Sequence, residues 1–337
     1  MAKGNKDLIP PGLKYLADNV ISKQNILGAS KSEGARWAKD LGISEETETI
    51  FFAGCGYQYT NDLESLMSLI RKIDKSAIST EMIMSLAGAQ KKLGIDVTGI
   101  YRRLVPKGKD DEVQTLRDAV NVLNHLGVKF GYLAEDEPCC GGILYYMGLH
   151  RDFNSNAGKV YDKLKSRGVK RIISIIPSCT HTLEHLIPDA IKGGDIEVKH
   201  FCQVVLENIS SHELRFPRKV KVTYHDPCQL ARYMGLIEEP RQILRAIEGI
   251  ELVETEWTNG DCATCCGGGG GFEAVFPELS QILAVNRAQE LIDTGADIIV
   301  TNCPGCVMQL KTGVKELKAK NVEVLDLAQI LAMAMGV

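Results

Sequence analysis

Nine of the eleven cysteines fall into one pattern written twice: a lone Cys, then Cys-Cys-Gly, then a further Cys site. The second copy is complete, with Cys228, Cys265-Cys266-Gly267 and Cys303-Pro-Gly-Cys306. The first has Cys55, Cys139-Cys140-Gly141 and Cys179, with Thr182 where the last Cys would fall. Thirty-eight residues separate Cys140 from Cys179, and thirty-six separate Cys266 from Cys303. Structural cysteines scattered through two cores would not keep such spacing. The pattern reads as metal ligation, with iron–sulfur favoured.

Ligand number narrows the chemistry. A structural zinc takes four ligands in a tetrahedron, and a cubane iron–sulfur cluster takes four cysteines. The second copy offers five thiolates, which suggests a bridging sulfur or an enlarged cluster. The glycine run 267–271 suits an anionic centre, because successive amides can turn toward it without side-chain obstruction. A plainer reading makes Cys303 and Cys306 a dithiol and the rest core, but the tandem spacing argues against it. The first copy has four thiols, enough for a four-cysteine cluster or a structural zinc. His181 is a candidate substitute for the missing thiolate there, although a loop histidine is commonly just solvated.

These sites need elements to carry them. Continuous β-branched runs at 49–53, 171–176, 219–224 and 296–301 lead into Cys55, Cys179, Cys228 and Cys303. Such runs suit strands buried on both faces of a parallel sheet. Helical segments alternate with them, for example 159–166 and 279–293, which argues for α/β units. In parallel sheets, sites gather at the carboxyl ends of strands, where these cysteines stand. The repeat continues past the cysteines: 197–206 and 321–331 both read as a short strand followed by a helix. Their overlay sets Cys202 against Ala328, so Cys202 is expected to be a small buried hydrophobe. Cys262 lies outside the pattern, either a spare thiol beside the site or an ordinary loop thiol.

The expected plan is therefore a helical and peripheral segment over 1–46, a first cysteine-rich module over 47–212 and a second over 213–337. Between Cys55 and Cys139 lie 83 residues, against 36 between Cys228 and Cys265. The excess of 47 places an insertion near 72–118, with helical texture at 81–93 and a charged loop at 107–112. It either covers the first site, docks a partner, or merely elaborates the surface.

Composition bounds the function. The 337 residues, 45% hydrophobic and 24% charged, suit a globular protein with room for two cores. A net charge of −4 gives no footprint for nucleic acid. The first residues lack the apolar stretch of a signal peptide, and no apolar run spans a bilayer. A reducing cytoplasm is expected, where paired cysteines mean metal or redox chemistry more than disulfides.

The tandem modules resemble the cysteine-rich domain of heterodisulfide reductases, specifically that of their catalytic B subunit or the matching half of their D subunit. The resemblance runs from about 49 to the end of the sequence. It is most specific at His225-Asp-Pro-Cys228, at Cys265-Cys-Gly-Gly-Gly-Gly-Gly271 and at Asn302-Cys-Pro-Gly-Cys306. Similar modules occur in the K subunit of sulfite-reduction complexes and in iron–sulfur subunits of lactate, glycolate and glycerol-3-phosphate oxidation. The resemblance implies a noncubane 4Fe–4S cluster on Cys228, Cys265, Cys266, Cys303 and Cys306, and disulfide cleavage between two such centres. Thr182 departs from the pattern, which leaves a noncubane cluster, a cubane 4Fe–4S cluster or zinc for Cys55, Cys139, Cys140 and Cys179. Residues 25–41 resemble a linker that follows a ferredoxin domain in longer relatives. No Cys-x-x-Cys-x-x-Cys series precedes it, so electrons are expected from a ferredoxin-like iron–sulfur subunit and a flavin- or quinone-linked subunit. Membrane association would then come through partner subunits.

The leading expectation is an iron–sulfur catalytic subunit that reduces or forms a disulfide of a small molecule or a protein thiol. Disulfide reduction takes two electrons while a cluster passes one at a time, so a metal that holds the half-reduced sulfur avoids releasing a radical. His225 is a candidate for proton delivery to the departing thiolate, or else a hydrogen-bond donor or core histidine. The alternatives are a non-catalytic electron-transfer subunit and a zinc-stabilised scaffold.

Overall fold

The computed structural model describes residues 9–45, 47–59, 62 and 111–337. Two parallel sheets carry the chain, as the alternating pattern predicts. In the first module, β1 (Thr49–Phe52), β2 (Arg171–Ser174) and β3 (Glu197–His200) lie in the order β1-β2-β3. In the second, β4 (Arg215–Tyr224), β5 (Glu248–Leu252), β6 (Ile298–Thr301) and β7 (Glu323–Asp326) lie in the order β5-β4-β6-β7. Ile50, Phe51 and Phe52 are fully buried, as are Ile298, Ile299 and Val300, because helices cover both faces.

The two sheets are closer copies than their strand numbers suggest. Gly131 forms a parallel bridge to Ile50 on the free side of β1, where β5 pairs with β4 in the other module. Its amide donates to Thr49 and its carbonyl accepts from Phe51, at 2.8 and 2.7 Å. The first module thus retains one rung of the strand that the second completes.

The repeat also shows in how helices start. His200 ends β3 and caps the helix Phe201–Asn208, with Gln203 bonding back to the His200 amide. Asp326 ends β7 and caps Leu327–Met335 in the same way with Gln329. Each is a capping box that satisfies two orphan donors at once. Cys202 and Ala328 occupy matching positions, both fully buried.

Of the insertion expected near 72–118, positions 72–110 lie outside the described residues, and with them the helical texture at 81–93. Positions 111–118 open the helix Asp111–His125, whose Leu116, Ala119, Val120, Val122 and Leu123 are fully buried. That helix packs against Leu327–Met335, so a helix of the first module shares its core with the last helix of the second. One apolar cluster runs through both sheets.

From Pro11 onward the first segment is helical, as expected, but not peripheral. The helix Pro11–Lys23 buries Leu16, Ala17 and Val20 and packs on the short helix Phe272–Val275 that follows the glycine run. Lys31 opens the helix Lys31–Ala35 and sends its ammonium to the Glu137 carbonyl at 2.7 Å. Among the described residues, no helix is long and apolar enough to cross a membrane.

Candidate metal centres

In the second module Cys228, Cys303 and Cys306 are delivered by element ends. β4 stops at Tyr224, His225 donates its amide to Val300 at 2.8 Å, and Pro227 turns the chain into the helix Cys228–Met234. β6 stops at Thr301, and Pro304 at the first helical position starts the helix Pro304–Glu316. Cys303 is the residue before that helix and Cys306 lies in its first turn.

Cys265 and Cys266 sit on the loop before the glycine run. The Cys266 and Cys306 sulfurs are 3.4 Å apart, and the Gly267 amide donates to the Cys265 sulfur at 3.3 Å. Gly267, at φ 82°, lies where a Cβ would fall on the Ser280 carbonyl oxygen; a Cβ at Gly268 would come within 2.8 Å of the Gln309 side chain. Ser280 donates to the Gly267 carbonyl at 2.7 Å and accepts from Gln309 at 3.0 Å, which fixes the loop between two helices. Close backbone approach, rather than flexibility, is what this stretch needs.

The ionisation of these thiols is coupled. Hydrogen bonds from Cys265 and Cys306 hold Cys266 well below the usual thiol range, with His225 adding to the effect. Sharing with Cys266 and Cys303 pushes Cys306 up. The bond to Cys266 together with burial pushes Cys265 up. Burial and the neighbouring Cys303 and Cys266 push Cys228 up. Cys266 is favoured as thiolate, and Cys228, Cys265 and Cys306 resist ionising beside it, because like charges crowd there. A bound metal group inverts that balance and deprotonates coordinating thiols. The donor set therefore fits a soft, multi-thiolate metal group. Cys266 and Cys306 are buried, Cys228 and Cys303 half-buried and Cys265 exposed, so the set opens to one side.

The first module repeats the arrangement with four sulfurs. Cys55 lies in the helix Gly54–Gln58, 3.9 Å from Cys139 by sulfur, and Cys140 lies 3.3 Å from Cys179. Glu137 accepts from the Ala53 and Gly54 amides at 2.8 and 2.9 Å, tying the Cys139 loop to the Cys55 loop. Burial raises its carboxyl to about 7. Thr182, in place of a fifth cysteine, is fully buried and donates to the Ser178 carbonyl at 2.7 Å. His181 turns instead to Tyr146, 3.0 Å from the phenol, and packs against the Tyr233 and His185 rings.

The two centres are joined crosswise. The helix carrying Cys55 packs on the helix carrying Cys306, and the helix carrying Cys228 packs on Pro177–His181, which carries Cys179. A Cβ at Gly56 would come within 2.9 Å of Pro304, and Tyr146 donates to Gln229 at 2.9 Å.

Two thiols stay outside. Cys202 is buried against His200 Nδ1 at 3.1 Å, and burial pushes its thiol up, as expected for a core cysteine. Cys262 is exposed on the turn Gly260–Cys262.

Several contributors were not anticipated. Lys31, Asp326 and Arg287 come in from elements distant in sequence, while Glu137 and Tyr57 stand two residues from Cys139 and Cys55. Arg287 alone left a local signal, a charge within the otherwise apolar face of 279–293. It is fully buried and donates through Nε to His225 Nδ1 at 3.1 Å. His225, Cys266 and Cys306 in turn bring a ring nitrogen and two sulfurs within 4.8 Å of one another.

Comparison with known sequences finds a cysteine-rich domain. The model of the cysteine-rich domain, CCG, matches residues 107–184 and 222–311. An EtfAB:quinone oxidoreductase of Syntrophomonas wolfei is 33% identical over 67% of this chain and 33% of its own length. The D subunit of the dihydromethanophenazine:CoB–CoM heterodisulfide reductase of Methanosarcina mazei is 34% identical over 64% of this chain and 54% of its own. A probable iron-sulfur-binding oxidoreductase, FadF, of Bacillus subtilis is 32% identical over 63% and 30%. The chain spans between about a third and about half of these relatives.

Proposed function

We propose that this chain, which belongs to the tandem cysteine-rich CCG-domain family resembling the B and D subunits of heterodisulfide reductases, is an iron–sulfur oxidoreductase subunit that reduces or forms a disulfide in its second module. The observation that carries this reading is the convergence of five cysteines on one open-sided set. Cys228, Cys265, Cys266, Cys303 and Cys306 would hold the cluster, noncubane 4Fe–4S by the resemblance, and Cys55, Cys139, Cys140 and Cys179 a second 4Fe–4S group or zinc. An iron–sulfur group bound there supplies one-electron transfers and an iron able to take a sulfur ligand.

The residues of the chain do the rest. The half-buried Cys228 and Cys303 and the exposed Cys265 leave the side from which a substrate sulfur would approach. Cys266 and Cys306 close the opposite side against the core. The Gly267 amide and His225 offer hydrogen bonds to sulfur, which stabilise added negative charge. Reduction of a disulfide consumes two electrons and two protons and yields two thiols. The substrate would be a small-molecule disulfide or a protein thiol pair. Electrons would arrive from a ferredoxin-like iron–sulfur subunit and a flavin- or quinone-linked partner.

A second reading, an electron-relay subunit, is favoured by the likeness to a quinone oxidoreductase. Iron, acid-labile sulfide and zinc are to be quantified after oxygen-free purification, and a disulfide then added to the reduced chain. A new paramagnetic signal supports the disulfide reading. Iron without such a signal favours the relay, and zinc without iron or sulfide overturns both.

A further inference from the structure

His225 stands three residues before Cys228, and Phe52 stands three before Cys55. The same strand-end position thus carries an imidazole in one module and a phenyl ring in the other. Beside Cys266 and Cys306, the imidazole invites reading as a third metal ligand. Its other partner argues otherwise.

Arg287 Nε donates to His225 Nδ1 at 3.1 Å. A guanidinium has donors and no acceptor, so Nδ1 must be the bare nitrogen and the ring proton must sit on Nε2. A metal-bound histidine shows the reverse pattern, giving its second N–H to an acceptor. With Nδ1 accepting and Nε2 protonated, no lone pair remains for a metal. What remains is an N–H donor on a ring that comes within 4.8 Å of the Cys266 sulfur.

The guanidinium is itself held firmly. Its Nη1 reaches Thr258 at 3.2 Å, Thr264 at 3.1 Å and Glu290 at 2.6 Å, and Arg287 is 0% exposed. A buried cation with one partly exposed carboxylate partner is costly to keep, which calls for a function.

We propose that Arg287 is a positioning residue that locks His225 in its Nε2–H form, making the imidazole a hydrogen-bond donor to the Cys266 sulfur and not a ligand. This rests on the reading that these sulfurs hold a metal group. Hydrogen bonds to ligating sulfur raise a cluster's reduction potential. In the first module the matching phenyl ring supplies no such donor.

The experiment is nitrogen NMR of the full chain carrying isotope-labelled histidine, with zinc filling the sulfur sites so that no unpaired electron broadens the signals. His225 is expected to show a protonated Nε2 and a bare, hydrogen-bonded Nδ1, and Arg287→Met to relax it into a tautomer mixture. A protonated Nδ1, or a zinc-bound Nε2, in the unaltered chain overturns the proposal without need of any variant. In the iron-loaded chain, Arg287→Met and His225→Phe should each shift the midpoint potential of the second module to more negative values. The double variant should shift no further than the larger single one. Additive shifts would mean that Arg287 acts through its charge alone, and overturn the positioning role. A chain that holds no iron would sink the iron–sulfur reading, while the zinc-loaded spectrum would still decide the tautomer.

Discussion

Tyr57, two residues beyond Cys55 in the first module, donates its phenol to the carboxylate of Asp326, which ends β7 of the second. Both are buried, and burial raises Asp326 to about 7. Removing the phenol leaves a buried acceptor unpaired, at a cost of about 1–3 kcal/mol. Tyr57→Phe should therefore lower the melting temperature, and an unchanged melt would show the bond to be idle.

The same carboxyl gives a pH dependence with a definite sign. Its folded pKa of about 7 lies above its ordinary 3.8, so the folded state binds more protons between those values. Its contribution is complete below pH 3.8 and is lost as pH rises through about 7. Denaturant melts of Asp326→Asn across this window should show a shallower decline than the unaltered chain; parallel curves would refute the assignment.

Cys266→Ser should deplete the second module of iron and lower its stability, because metal binding contributes to folding. Cys202→Ala should leave the iron count intact, since that thiol faces His200 and not the sulfur set. Iron and sulfide analysis of the two variants, side by side, checks both statements.

Gly267→Ala places a methyl group on the Ser280 carbonyl at a positive φ, so the backbone of the loop or of the helix Pro277–Ile292 must move. A loss of roughly 2 kcal/mol or more is expected, together with weaker metal retention. Gly269→Ala meets nothing within 4 Å and carries only the strain of its φ of 94°, about 1 kcal/mol. Equal melts for the two would remove the argument from close approach.

Arg241 and Asp226 form a two-pronged ion pair at 2.7 and 2.8 Å, with side chains 3% and 1% exposed. Asp226 also accepts the Gly260 amide at 2.8 Å, linking the residue after His225 to the loop that leads to Cys265. Arg241→Met strands a buried carboxylate and should cost about 3–5 kcal/mol. Chemical unfolding measures it directly.

What could be read from the residues alone is what local pattern encodes. The β-branched runs ahead of Cys55, Cys179, Cys228 and Cys303 are β1, β2, β4 and β6, and the shared spacing marks two copies of one fold. β5 escaped, because its Glu-Gly-Ile-Glu-Leu sequence is partly exposed at a sheet edge and carries no continuous apolar run. The start of the helix Asp111–His125 was assigned to an insertion because loop length alone drew that boundary. Tyr57 with Asp326, and Arg287 with His225, lie 269 and 62 residues apart. Such pairs exist only once the chain has folded, so no spacing rule announces them. The role of Lys31 was hidden similarly, since its helix looked peripheral until it met Glu137.

The crosswise packing of the four cysteine-bearing helices has a mechanical corollary. Each half of the molecule packs a cysteine-bearing helix on a cysteine-bearing helix of the other, like two hands clasped at the fingertips. A disturbance at Pro304 is transmitted to the turn at Gly56 through direct contact. The two cysteine sets are thereby yoked through the packing of their helices.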